Sequence, residues 1–258
     1  MNDARAARDA GDGELCGDDE LGYLRCRTPF APGAGLVLDE AYRLAHLPLV
    51  APGHPGVIAT WPGRPYAMGR HPRSYSLVLP VPGEALARSD AYCALEAELR
   101  AAPFASKIAW DILPRRLPVL HATLCGGLGA EEPPQLPPAA LSAIAGIGPI
   151  AVELRGIFSG DVNLGRLYLR AYPARRAGAN PFRRIQALLG RRESDLHLVG
   201  VFNLTDDLDP AEAEALGALI ARWWDRPLLR FEAEALWLLG AEDDLVLEGS
   251  VEAAIPLA

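Results

Sequence analysis

The sequence predicts an α+β fold of two pseudo-symmetric lobes, each an antiparallel sheet with helices, around a central cleft. Three observations carry this. Runs with period-2 apolar alternation and runs with helical spacing follow one another twice, in similar order, after about residue 75. Each round holds one histidine inside an apolar strand, His121 and His197. The chain has 258 residues, 50% of them hydrophobic, which is enough for a sizeable core.

The elements follow in chain order. Residues 1–20 are polar and acidic and predict a disordered tail. They lack the apolar stretch of a secretory signal. Residues 21–74 are rich in Pro and Gly and predict an irregular extension packing on the body, with one short helix in LVLDEAYRLAHL. His46, His54 and His71 lie there without metal-site spacing and read as surface or turn histidines. Residues 75–258 form the two-lobed domain.

YSLVLPVP is a strand closed by Pro82 and Gly83, and GEALARSDAYCALEAELRAA is an amphipathic helix. KIAWDIL and LPVLHATLCGG read as a strand region. PPQLPPAALSAIAGIG is a linker with a short helix, and VELRGIF and GRLYLRAYP are two strands. NPFRRIQALLG is a helix with Asn180 as N-cap, Pro181 at the first position and Gly190 past its end. SDLHLVGVFNL is a strand. DPAEAEALGALIARWW opens on a capping box, Asp209 with Glu212. The chain closes on two strands around AEDD.

In VLHATL, alternation puts Leu120, Ala122 and Leu124 on one face and His121, Thr123 and Cys125 on the other. In the second strand His197, Val199, Val201 and Asn203 share a face. A net charge of −8 argues against a generic nucleic-acid-coating protein. Yet nine arginines lie between Arg155 and Arg192 with Asp161 as the only acid, a stretch suited to binding phosphate. Cys16, Cys26, Cys93 and Cys125 show no CxxC pairing and read as isolated thiols of a reducing compartment. Cys125 beside His121 suggests a nucleophile pair or a small core filler. No apolar run approaches the roughly 20 residues of a membrane span, so the expected location is the cytoplasm, away from membranes. No metal-ligand cluster is visible.

The two histidine segments, HATL and HLVG, resemble the paired His-x-Thr/Ser-x motifs of the 2H phosphoesterase superfamily, the LigT-like cyclic phosphodiesterases. The resemblance covers about residues 75–258. Val199 departs from it, standing where Thr or Ser is expected. The resemblance implies a phosphodiester held between His121 and His197, one imidazole acting as base and the other as acid, without metal or other cofactor. Thr123 would donate to a non-bridging phosphate oxygen. Valine at 199 cannot, so a weakened enzyme or a substitute donor is expected, from Ser194, Asn203, Tyr168, a backbone N–H near Gly200 or one of the arginines. Arg166, Arg170, Tyr168 and Phe158 are further candidate substrate contacts, with Trp110 and Trp237 as stacking surfaces. Asp195 would orient an imidazole or sit in a loop.

The expected function is metal-independent hydrolysis of a 2′,3′-cyclic phosphate, or a related phosphodiester, of a nucleotide or RNA end. The alternative is a weak or inactive 2H-fold protein that binds a nucleotide or RNA end. A third reading makes both histidines structural parts of an unrelated α+β protein. The expected partner is a small phosphodiester, nucleotide or RNA end, with no obligate protein partner.

Overall fold

Segments dense in Leu, Val, Ile and Tyr, punctuated by Gly and Pro, pair here into one sheet. The computed structural model describes residues 13–161 and 163–258. The strands are β1 (Arg70–Pro80), β2 (His121–Ala130), β3 (Ile150–Phe158), β4 (Arg166–Pro173), β5 (Leu198–Asn203), β6 (Pro227–Ala233), β7 (Ala235–Asp243) and β8 (Gly249–Pro256). Their order is β6-β3-β4-β5-β2-β1-β7-β8, every neighbouring pair antiparallel. The expected two sheets are thus one continuous sheet, joined where Ala122 of β2 faces Val199 of β5. Only Glu234 separates β6, at one edge, from β7, near the other. One residue spans less than about 4 Å per step of chain, so the sheet curls until its ends approach.

The helices used below are α1 (Glu40–Ala45), α2 (Asp90–Ala101), α3 (Pro138–Ala145), α4 (Pro181–Leu188) and α5 (Pro210–Trp223). The side chain of Asn180 accepts from the Phe182 N–H at the start of α4, and Asp209 and Glu212 form the reciprocal box that opens α5. The predicted helix from Gly83 breaks at Arg88 and Ser89 into a short turn and α2. KIAWDIL is not a strand: it folds into short helical turns, with Ile108 alone bridging Leu204. Pro114 sits at the first turn of the next helical piece, which suits its missing N–H. The closing segment holds three strands rather than two, since Pro227–Ala233 pairs with β3 at the far edge.

One face of the sheet carries the main core. Ala122, Leu169 and Val199 are fully buried there, packed with Leu95 of α2, Phe182 of α4 and Leu216 of α5. Much of the other face is covered by the N-terminal segment. Leu15 bridges Ala174, the Cys16 N–H bonds the Pro173 carbonyl at 2.9 Å, and Cys16 is buried. Residues 13–20 therefore pack on the body, where a disordered tail was expected; residues 1–12 of that expected tail lie outside the described residues. Cys16, Leu21 and Tyr23 form a second apolar cluster with Phe158, Tyr168 and Tyr172. Among the described residues no helix is long and apolar enough to cross a membrane.

Tyr23 fixes this cover. Its hydroxyl lies 2.7 Å from the Ala171 carbonyl and 3.1 Å from the His197 carbonyl, all buried. Tyr23→Phe removes the donor and keeps the ring. It should lower the unfolding free energy by roughly 1–2 kcal/mol, read from urea denaturation.

Candidate functional site

The site is set by register. Because Ala122 faces Val199 in an antiparallel pair, His121 lies opposite Gly200 and Thr123 opposite Leu198. Tyr168 of β4 faces Gly200 from the other side, and Pro80 of β1 faces His121. His121, Thr123, Leu198, Gly200, Arg166 and Tyr168 thereby line one cleft, closed by Leu196, His46, Asn163 and Asp244, with a cavity volume of about 290 Å³.

His197 is not in it. It precedes β5 and lies on the opposite face, fully buried, its ring edge-on to Phe182 at 4.8 Å between centroids. Neither ring nitrogen has a partner among the described residues. The structure does not bring His121 and His197 together. Val199 shares the core face with Ala122 and is fully buried, so it is not a phosphate-binding position. Cys125 is also a core residue: a bulge in the β1–β2 pairing lets Cys125 face Leu77 while Thr123 faces Val78.

The other expected contacts divide. Arg166 and Tyr168 are in the cleft. Arg170 is fully buried, its guanidinium 3.6 Å from the Trp224 ring and hydrogen-bonded to the Tyr172 hydroxyl. Phe158 is fully buried in the second cluster. Trp110 donates to the Ala105 carbonyl and is covered by Arg100. Trp237 lines a different cavity. Asp195 is held by Arg25 and Arg183, not by an imidazole. Ser194 bonds Gln186, and the Asn203 amide is buried.

Inside the cleft, the half-buried His121 ring donates from Nδ1 to the Val119 carbonyl at 2.7 Å. Its Nε2 therefore keeps the lone pair. Burial, with Arg116 and Arg166 nearby, brings its pKa down to about 4, so the ring is neutral at pH 7. Arg166 donates from Nη1 to His46 Nε2 and to the Asp244 carbonyl, each at 3.1 Å. It lies over the Tyr168 ring, 5.5 Å from its centroid. Gly200 makes room for it: a Cβ there would stand 2.1 Å from Arg166 Nε.

Sequence reasoning missed the remaining parts, which come from distant elements. His46 follows α1, is fully buried, and stacks on Tyr42 at 5.1 Å and 4°. Burial and Arg166 push its pKa down to about 3, so it serves as a neutral acceptor. Arg116 is 2% exposed and is not part of the cleft lining; it donates to the carbonyl of the lining residue Gly200 at 2.6 Å and to the Leu245 carbonyl at 2.8 Å. Neither Arg116 nor Arg166 forms an ion pair with a carboxylate among the described residues.

Among the described residues, Asp244 is the one carboxylate lining the cleft. Burial opposes its charge, but His71 at 3.3 Å and the Tyr66 hydroxyl at 2.8 Å outweigh that and bring its pKa down to about 2. The turn carrying it is tightly held. The buried Asp243 carboxylate accepts from the N–H groups of Leu245, Leu247 and Glu248. Val246 in this turn has φ +54°, an unfavourable angle for a β-branched residue. Among the described residues no group of three or more His, Cys, Asp or Glu is placed to hold a metal ion.

No family model matches the chain. No curated protein matches it. Among solved structures, it is similar to the crystal structure of TT0787 of Thermus thermophilus, at 17% identity, covering 71% of this chain and 97% of that one, with a TM-score of 0.40. A similarity at that level assigns no function.

The buried neutral histidines generate a prediction. The pKa of His197 is pushed down to about 4 by burial, from an ordinary value of 6.5. The unfolded chain then binds the proton first on acidification. This group's contribution is complete above pH 6.5 and is lost as pH falls toward 4. The loss amounts to roughly 3 kcal/mol. His197→Leu should flatten the stability–pH curve between pH 6.5 and 4 by that order, measured by urea unfolding at stepped pH.

Proposed function

We propose that this chain is a binding protein of 2H-like architecture that holds a phosphate or phosphodiester anion in the His121 cleft, with phosphoester cleavage weak or lost. One observation carries the reading. The cleft keeps His121 and Thr123 beside the Arg166 guanidinium, with the buried Arg116 bonded to the Gly200 carbonyl; neither arginine has a carboxylate partner among the described residues, while the second histidine lies on the opposite face. Two buried or half-buried cations against one carboxylate already engaged by Tyr66 and His71 favour an anion.

The register supports the loss of chemistry. If the two halves of the sheet are related by a two-fold between β2 and β5, Ala122 exchanges with Val199. His121 then exchanges with Leu198, and Thr123 with Gly200. On this reading the second motif is Leu198–Val201, with neither imidazole nor hydroxyl. His197 is one residue out of register, and one residue changes the face. The other imidazole lining the cleft, His46, has its Nε2 committed to Arg166. Among the described residues lining the cleft, no second imidazole thus offers a free Nε2 to pair with His121.

Titration calorimetry with inorganic phosphate tests this. Binding should be detectable, and Arg166→Gln should weaken it about ten- to a hundredfold, the worth of one hydrogen bond to a charged group. Val199→Thr should leave the affinity unchanged, because a hydroxyl there enters the core. Turnover of a 2′,3′-cyclic nucleotide that disappears in His121→Ala would replace the binding reading with an enzymatic one.

A further inference from the structure

A second cavity, of about 390 Å³, adjoins the cleft: Asn163 and Asp244 line both. Its outer wall belongs to the N-terminal extension. Trp61-Pro62-Gly63-Arg64 forms a tight turn, with the Arg64 N–H bonded to the Trp61 carbonyl at 3.0 Å. Pro62 suits the second position of such a turn, and Gly63, at φ +77°, the third. Thr60 and Ala67 bridge below it. The turn therefore presents Trp61 and Arg64 from a short closed hairpin.

Trp61 is 38% exposed, among the few large apolar side chains at the surface. Among the described residues no ring or cation stacks on it. Tyr66 stands across the same cavity, its hydroxyl tied to Asp244 and its ring edge-on to His71 at 5.4 Å. Glu40 adds an exposed carboxylate at the start of α1. An open indole, a fixed phenol and hydrogen-bonding carboxylates suit a planar ring that carries N–H groups.

We propose that this cavity takes the base of a nucleoside monophosphate whose phosphate occupies the adjoining Arg166 cleft. The inference rests on the anion-binding reading of that cleft. Its basis is continuity: the two cavities share a wall, one cationic and one aromatic. Together they fall within the range of roughly 300–1,000 Å³ that holds a small ligand.

The test compares inorganic phosphate, glycerol phosphate and adenosine 5′-monophosphate on the full chain by calorimetry and tryptophan fluorescence. A stacked base adds about 1–3 kcal/mol, or roughly five- to a hundredfold. The nucleotide should bind tighter than either non-aromatic phosphate by that factor and quench Trp61 emission. Trp61→Ala should remove the advantage and the quenching while leaving inorganic phosphate affinity unchanged, and Trp61→Phe should keep most of the advantage. Equal affinities for all three ligands, or an advantage that survives Trp61→Ala, overturns the base site while the anion cleft stands. If none of the three binds, the anion cleft falls and the base site falls with it.

Discussion

The pairing of Ala122 with Val199 decides more of this molecule than any other contact. It joins the two halves of the sheet and fixes which side chains of β2, β5 and β4 share a face. From it follow the burial of Val199 and Leu169 on the core side and the placing of His121, Gly200 and Tyr168 in one row on the other. A slip of one residue would invert every position of β5. Such a slip would put His197 over the cleft and Leu198 into the core. Two features oppose it. Val199 and Val201 are β-branched and fully packed, while Gly200 has no side chain to compete with Arg166.

The buried cation behind the cleft is expensive to maintain. A guanidinium as buried as that of Arg116 needs every donor satisfied, and burial already pushes its pKa well down from the ordinary value. The fold gives it the backbone carbonyls of Gly200 and Leu245, which carry only partial charge, and leaves its buried Nε without a partner among the described residues. Arg166 is likewise held by a neutral imidazole and a carbonyl rather than a carboxylate. These partners position the cations without cancelling them. The strained turn at Val246, fixed by Asp243, supplies two of the carbonyls and the Asp244 carboxylate. Backbone strain of that kind persists only where the surroundings over-determine it.

Much of the fold was legible because local signals were strong. The Asn180 and Asp209 caps and most of the alternating strands stand where the sequence puts them. The errors lie where tertiary context overrides local pattern. The alternation within HLVGVF was read correctly, with His197, Val199 and Val201 on one side. Nothing local says which side that is, because the choice belongs to a partner strand whose paired residue is 77 positions away. Cys125 changed face through a bulge, which periodicity does not announce. Three of the ten residues lining the cleft come from segments with no motif: His46 after a short helix, Asn163 in a turn and Asp244 in another. His71 and His46, read from sequence as surface or turn residues, are partners of Asp244 and Arg166.

The exchange of an imidazole pair for an imidazole and a guanidinium changes what a cleft does with a phosphate. Two imidazoles titrating near neutrality pass protons in both directions, one giving while the other takes. A guanidinium stays protonated throughout the physiological range. It stabilises a charge that is present, but neither accepts a proton from an attacking hydroxyl nor supplies one to a leaving oxygen. His121 retains a lone pair on Nε2, so one half of an acid–base pair persists without its complement. The place opposite it in the row is Gly200, whose missing side chain is filled by Arg166. On the proposed reading, Leu198 stands where the second imidazole would be, and Gly200, the counterpart of Thr123, leaves the space that admits a fixed charge, so the geometry that strengthens anion binding comes with the loss of the route to cleavage.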